Sequence, residues 1–184
     1  MKKKGFTFIE LLIVIGIISI SLPLVFGLLF INLKSQSKVY ILNEVKRNGD
    51  FAVNTIGFLL RQYGQRVTDV SFSTDVCPIL PNPELNLSDQ VNVIDTFGKG
   101  FSLFFDDDKI ASASPDSPIG NGISTQYLTN DKVKIQNLDF SCYRPTAFDK
   151  PIISVSFSVS QAGETQRHEE KATLNYATKI KLRN

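Results

Sequence analysis

The chain has 184 residues, a formal charge of +2 and 42% hydrophobic side chains. That length leaves room for one globular domain and an attached segment, and not for several domains. The near-neutral charge gives no ground for chain-wide nucleic-acid binding, and there is neither a repeat nor a low-complexity tract.

The strongest signal comes first. Lys2, Lys3, Lys4 and Gly5 precede Phe6-Thr7-Phe8-Ile9-Glu10, and residues 11–31 then contain no charge. Those twenty-one residues reach roughly 30 Å as a helix, the thickness of a bilayer's hydrocarbon core. Lysines on the N-terminal side hold that end in the cytoplasm, so the bulk of the chain is expected outside. Glu10 is the misfit, because a carboxylate inside a bilayer costs on the order of 2.5–3.5 kcal/mol. No basic residue of the segment pairs with it. Cutting the chain after Gly5 would make Phe6 a free α-amine, and a cation from a neighbouring subunit could then neutralise Glu10. Three plainer readings fit less well. A secretory signal has a shorter core followed by a small-residue cleavage site. A simple anchor leaves Gly5 and Glu10 unexplained. A buried soluble helix is rarely apolar all round over six turns.

Lys4-Gly5-Phe6-Thr7-Phe8-Ile9-Glu10-Leu11-Leu12-Ile13-Val14-Ile15 resembles the signal of type IV prepilins and type II secretion pseudopilins. The resemblance covers about residues 3–20. It implies that a prepilin peptidase cuts between Gly5 and Phe6 and that the new N-terminus at Phe6 is methylated. It further implies that Glu10 of an incoming subunit pairs with the Phe6 amine of one already docked, on an inner-membrane assembly platform. The family's usual helix-loosening proline lies further along; here it is Pro23, with Gly27 near the usual place. Removal of the leader takes away Lys2, Lys3 and Lys4, leaving 17 basic against 18 acidic residues. The argument for nucleic acid as a partner then loses its footing.

Downstream, Leu42, Val45, Gly49, Ala52, Ile56, Leu59 and Tyr63 recur at steps of three and four. They draw one stripe along a helix, which Gly64 is expected to cap. One helix over about 6–64 is therefore predicted. Its half 6–33 lies in membrane or filament core, and its half 34–64 is amphipathic and covered by a sheet. Ile153, Val155, Phe157 and Val159 alternate with serines, and Leu174, Tyr176, Ile180 and Leu182 keep the same period of two. Val133, Ile135, Leu138 and Phe140 predict a further strand, with a bulge where the period slips. Residues 101–105 and 109–113 flank Asp106-Asp107-Asp108 as a hairpin. The expected fold is α+β, a long transmembrane-then-amphipathic helix on an antiparallel sheet of four or five strands. This is the pilin-like architecture, with residues 65–184 as the extracytoplasmic domain. Residues 67–100 and 114–124, rich in proline, asparagine and glycine, read as irregular loops.

Cys77 and Cys142 both fall in the part expected outside, where a disulfide is the natural reading; two buried thiols are the alternative. Asp106, Asp107 and Asp108 are a calcium candidate, but a calcium loop needs spaced oxygens and three consecutive aspartates in a tight turn cannot all converge. They are read as a solvated turn, and no metal or other cofactor is expected. His168, the one histidine, sits in a polar stretch at 163–171 and completes no triad. No catalytic constellation or phosphate loop is present, so the chain is not read as an enzyme.

The ending at residues 171–184, with its terminal Leu182-Arg183-Asn184, and the helix end Arg61-Gln62-Tyr63-Gly64 are similar to minor pilins and J-type pseudopilins. The resemblance therefore implies a minor pilin or pseudopilin, a filament subunit. It would be stored as a single-pass inner-membrane protein among lipid and then built with other subunits into a surface pilus or periplasmic pseudopilus. The alternative is a processed, membrane-anchored surface binding protein that does not polymerise.

Overall fold

The computed structural model describes residues 7–114, 124–163 and 172–183. The chain divides into two compact units, Met1–Tyr40 and Ile41–Asn184. A single helix, α1 (Phe8–Gln62), begins in the first and ends in the second.

In the first unit every described side chain is exposed, and the helix runs without interruption through Pro23. Two of its polar side chains, Ser19 and Asn32, are paired with the helix's own backbone. Ser19 Oγ donates to the Ile15 carbonyl at 2.8 Å, and Asn32 Nδ2 to the Leu28 carbonyl at 3.1 Å. In apolar surroundings an unpaired donor costs several kcal/mol, so such pairing suits a helix this apolar.

In the second unit the helix buries Val45, Asn48, Gly49, Ala52, Ile56, Gly57 and Leu60. The expected stripe is confirmed in its middle and corrected at its ends. Leu42 and Tyr63 are exposed, and Leu60 replaces Leu59 as the deeper residue. The predicted stripe kept a strict seven-residue repeat, and a straight helix of 3.6 residues per turn drifts away from that repeat by ~20° each heptad. Gly64 does not cap the helix. Tyr63 N–H closes the last turn on the Leu59 carbonyl at 3.0 Å, and Gly64 opens the first strand. Its lack of a side chain answers to crowding, for a Cβ there would lie 2.6 Å from the Leu60 carbonyl oxygen.

Among the described residues nine strands follow. They are β1 (Gly64–Thr68), β2 (Leu85–Ser88), β3 (Gln90–Asp95), β4 (Gly100–Asp106), β5 (Lys109–Ser114), β6 (Ser124–Tyr127), β7 (Val133–Tyr143), β8 (Ile152–Gln161) and β9 (Thr173–Lys181). They form two sheets, β1-β3-β4-β5-β6 and β2-β7-β8-β9, antiparallel at every pairing. The expectation of a single sheet is thus corrected to two. The stretch 67–100, read as irregular, contains β2 and β3. The loop read at 114–124 lies almost wholly outside the described residues.

The strands read from alternation stand as expected. β8 buries Ile153, Val155, Phe157 and Val159 and pairs Phe157 with Tyr176 and Val159 with Leu174 on β9. In β7 the register shifts between Gln136 and Asp139, with Asn137 at φ 53°, which is the bulge predicted where the period slips. One continuous core joins the helix stripe to both sheets through Val67, Val91, Leu103, Ile110, Phe140 and Ile180, among others. Each such side chain fully buried contributes about 1.5–3 kcal/mol.

The helix is held to the second unit by specific contacts as well. The Tyr176 ring sits where a Gly49 side chain would be, stacks on Phe157 with centroids 5.4 Å apart, and donates its hydroxyl to the Lys46 carbonyl at 3.1 Å. Glu44 accepts from Asn130 Nδ2 at 3.2 Å, and Asn48 Oδ1 accepts from the Asn130 N–H at 3.3 Å. The Asn130 hydrogen bond foremost, helped by the Arg47 and Lys132 charges, holds the Glu44 carboxyl below its ordinary value.

Candidate functional site

The first described turn of α1 is the site that the sequence singled out. Thr7 is its N-cap, and its carbonyl accepts from the Glu10 and Leu11 N–H groups at 3.1 and 3.2 Å. The Glu10 carboxylate reaches back, so that Oε2 accepts from the Thr7 N–H and from Thr7 Oγ1, each at 3.4 Å. This is the Glu half of a capping box, in which a carboxylate at the third helical position satisfies an orphan amide and complements the positive helix end. Both residues are exposed. Sequence reasoning found Glu10 but missed Thr7, although Thr-x-x-Glu before an apolar run is a readable capping signature. The cleavage and methylation residues Gly5 and Phe6, and the orienting Lys2, Lys3 and Lys4, lie outside the described residues.

Behind this turn the helix is long and apolar enough to cross a membrane, and none of its apolar window is buried within the protein. An exposed apolar surface of that size, headed by a carboxylate already turned onto its own first turn, is suited to exchanging one apolar environment for another. It is not suited to binding a small polar substrate.

Residues 1–22 match the prokaryotic N-terminal methylation motif. This is a prepilin-type signal, consistent with the type IV pilin and pseudopilin superfamily at large, whose members are structural subunits. A motif of this kind implies processing by a peptidase and assembly with related subunits. No curated protein and no solved structure matches the chain. The fold itself, one long apolar N-terminal helix with antiparallel sheet packed on its second half, is pilin-like. The chain is a membrane-associated structural subunit by these two features together.

The remaining sequence candidates resolve as follows. Cys77 and Cys142 form a disulfide with their Cα atoms 5.4 Å apart, tying the segment before β2 to β7. Around it, Arg144 pairs with Asp75, and Arg144 exchanges backbone hydrogen bonds with Pro78 and Leu80. Asp107 and Asp108 occupy the two-residue turn of the β4–β5 hairpin with φ of 46° and 60°, the left-handed pair that a type I′ turn requires. The Asp106 and Asp108 carboxylates are already engaged. Asp106 accepts from the Tyr127 hydroxyl at 2.8 Å, and Lys134 lies 2.9 Å from Asp108. The Asp106 hydrogen bond and charge push the Tyr127 phenol above its ordinary value. Among the described residues no group of three His, Cys, Asp or Glu is placed to hold a metal ion. His168 lies outside the described residues.

The loop at residues 69–74 is organised by one carboxylate. Asp69 accepts from the Ser71 hydroxyl at 2.8 Å and the Ser73 N–H at 2.9 Å, and these bonds pull its pKa down to about 2.

Proposed function

We propose that the chain is a minor pilin or pseudopilin, cut between Gly5 and Phe6, methylated at Phe6 and built into a type IV pilus or a type II secretion-like filament. The observation that carries this reading is the conjunction at the N-terminus. A prepilin-type motif over residues 1–22 opens a helix whose whole apolar first half is exposed, with Glu10 at its head. Before assembly the segment lies in lipid with its lysines inside and Ile41–Asn184 outside; after assembly neighbouring subunits cover the same side chains. The environment is apolar in both states, so the transfer turns on polar detail. In storage Glu10 is held by the Thr7 amide and hydroxyl, and in the filament it pairs with the amine of Phe6 in the docked neighbour. Hydrophobicity supplies little preference between lipid and protein, and the charge pair selects the partner and register.

Glu10→Val tests this. The variant is expected to insert and be processed normally yet to be absent from filaments sheared off the cell, and normal incorporation would refute the role given to Glu10. Intact mass of the wild-type chain in the same fraction reads processing directly, as a chain beginning at N-methyl-Phe6. A processed chain found only in the membrane would favour the anchored binding protein instead.

A further inference from the structure

One end of the second unit gathers turns from both sheets. Gly64, where α1 gives way to β1, pairs with Asp95, and a Cβ there would meet Leu182 and Val93. Leu182 N–H in turn donates to the Pro151 carbonyl at 3.0 Å. The β3–β4 turn and the loop from β7 to β8 therefore leave the sheets at the same end as the last turn of α1. Each carries a phenylalanine held out from the fold, Phe97 at 81% and Phe148 at 99% exposure. Residues 78–80 run beside the second loop. Arg144 N–H donates to the Pro78 carbonyl at 2.7 Å and Leu80 N–H to the Arg144 carbonyl at 2.9 Å, with Ile79 and Leu80 both exposed.

The same end is basic. Segments 61–66, 75–84, 95–99, 144–151 and 179–183 carry eight basic against four acidic residues, while the rest of the chain after Gly5 carries nine against fourteen. The four acids are engaged within the domain. Asp75 pairs with Arg144, Asp149 with Lys181 at 3.2 Å and Glu84 with Lys179 at 3.9 Å. Asp95 accepts from the Phe97 and Lys99 N–H groups, each at 2.8 Å. The cations are crowded enough to feel one another: burial first, and then the Arg66 charge, hold the Arg144 guanidinium below its ordinary value.

We propose that this end is a docking surface for an anionic lipid bilayer, with the Phe97 and Phe148 rings entering the interface and the cations around them meeting headgroup phosphates. The proposal goes beyond filament assembly and does not depend on it. Affinity for such a surface grows with the apolar area buried and with attraction to anionic lipid, and this end supplies both. Rings standing proud on two separate turns enter a fluid interface without needing a matching pocket. Nucleic acid would use the cations, but it has no place for the aliphatic Ile79 and Leu80, which the acyl boundary accepts.

The test uses the full-length chain held in phosphatidylcholine nanodiscs and mixed with larger vesicles, which are then floated. Nanodiscs carrying the chain are expected to float with vesicles containing phosphatidylglycerol, and to be released as salt is raised. Empty nanodiscs, and vesicles of phosphatidylcholine alone, give the background. Phe97→Ser combined with Phe148→Ser should leave the melting temperature unchanged and weaken capture about tenfold or more. Lys150→Gln combined with Arg183→Gln should weaken capture as well and make it less sensitive to salt. Background flotation, equal capture by neutral vesicles, or undiminished capture of either double variant overturns the proposal. Binding of duplex DNA without capture by vesicles overturns it too, and assigns the basic end to nucleic acid.

Discussion

Gly49 and Tyr176 show how closely the helix and sheet are fitted. A methyl group at Gly49 would lie 2.2 Å from Tyr176 Cε2. The ring has little freedom to withdraw, because it is stacked on Phe157 and bonded to the Lys46 carbonyl. Gly49→Ala gains ~1 kcal/mol of helix propensity and meets overpacking of about 1–3 kcal/mol. The expected outcome is a net loss of stability, read as a lower urea midpoint with unchanged slope. Combining it with Tyr176→Leu should recover part of the loss, since the two residues share the contact. The same tyrosine has a signature at high pH. Burial first, and then the Asp50 charge, push its phenol up to about 12 from an ordinary value near 10. The folded state therefore holds that proton more tightly than the unfolded state. Its stabilisation is complete below pH ~10 and lost as the pH rises through ~12. A Tyr176→Phe variant should show a flatter stability profile across that window in denaturant titrations.

Among the elements, the disulfide carries the clearest expectation. It closes a loop of 65 residues, which in the chain-entropy model is worth roughly 4 kcal/mol. Cys77→Ser with Cys142→Ser should lower the unfolding free energy by up to that amount, and reduction of the wild-type chain should reproduce the shift. Which elements were legible follows from how they are buried. β8 faces the core on one side and solvent on the other, so Ile153 to Val159 alternate with serines and the strand could be read directly. β3 was missed because four consecutive residues, Val91 to Ile94, are all buried and the period of two disappears. β2 was missed because it is four residues long and almost wholly exposed. Without β2 and β3 the remaining strands read as one sheet, and the division into two could not be seen. At the N-terminus the motif and Glu10 were legible because they break an apolar run. Phe51 and Phe58 stand off the predicted stripe, and both are exposed.

At the scale of the whole molecule, the covered stripe of α1 begins at Val45, and Ile41–Asn184 forms a compact unit of its own. A chain beginning at residue 41 is expected to be soluble and monomeric, with a melting temperature within a few degrees of that of the full chain in detergent. Aggregation, or loss of a cooperative melt, would show that the first forty residues are needed for the fold. The order of strands carries a different kind of consequence. The chain lays down β1 in one sheet, crosses to give β2 to the other, and returns to the first for β3. Neither sheet can be completed from a contiguous stretch, and the stripe of α1 waits for Tyr176, Ile180 and Leu182 near the far end of the sequence. On the filament reading proposed above, the exported domain would then have no early refuge. Its nascent chain would emerge with an uncovered apolar helix face beside the bilayer, and native contacts of high contact order would close only after β9 had been delivered. A delay in translocation before that point would leave a sticky, half-made subunit at the membrane surface, where quality-control proteases could act on it before it reached a filament.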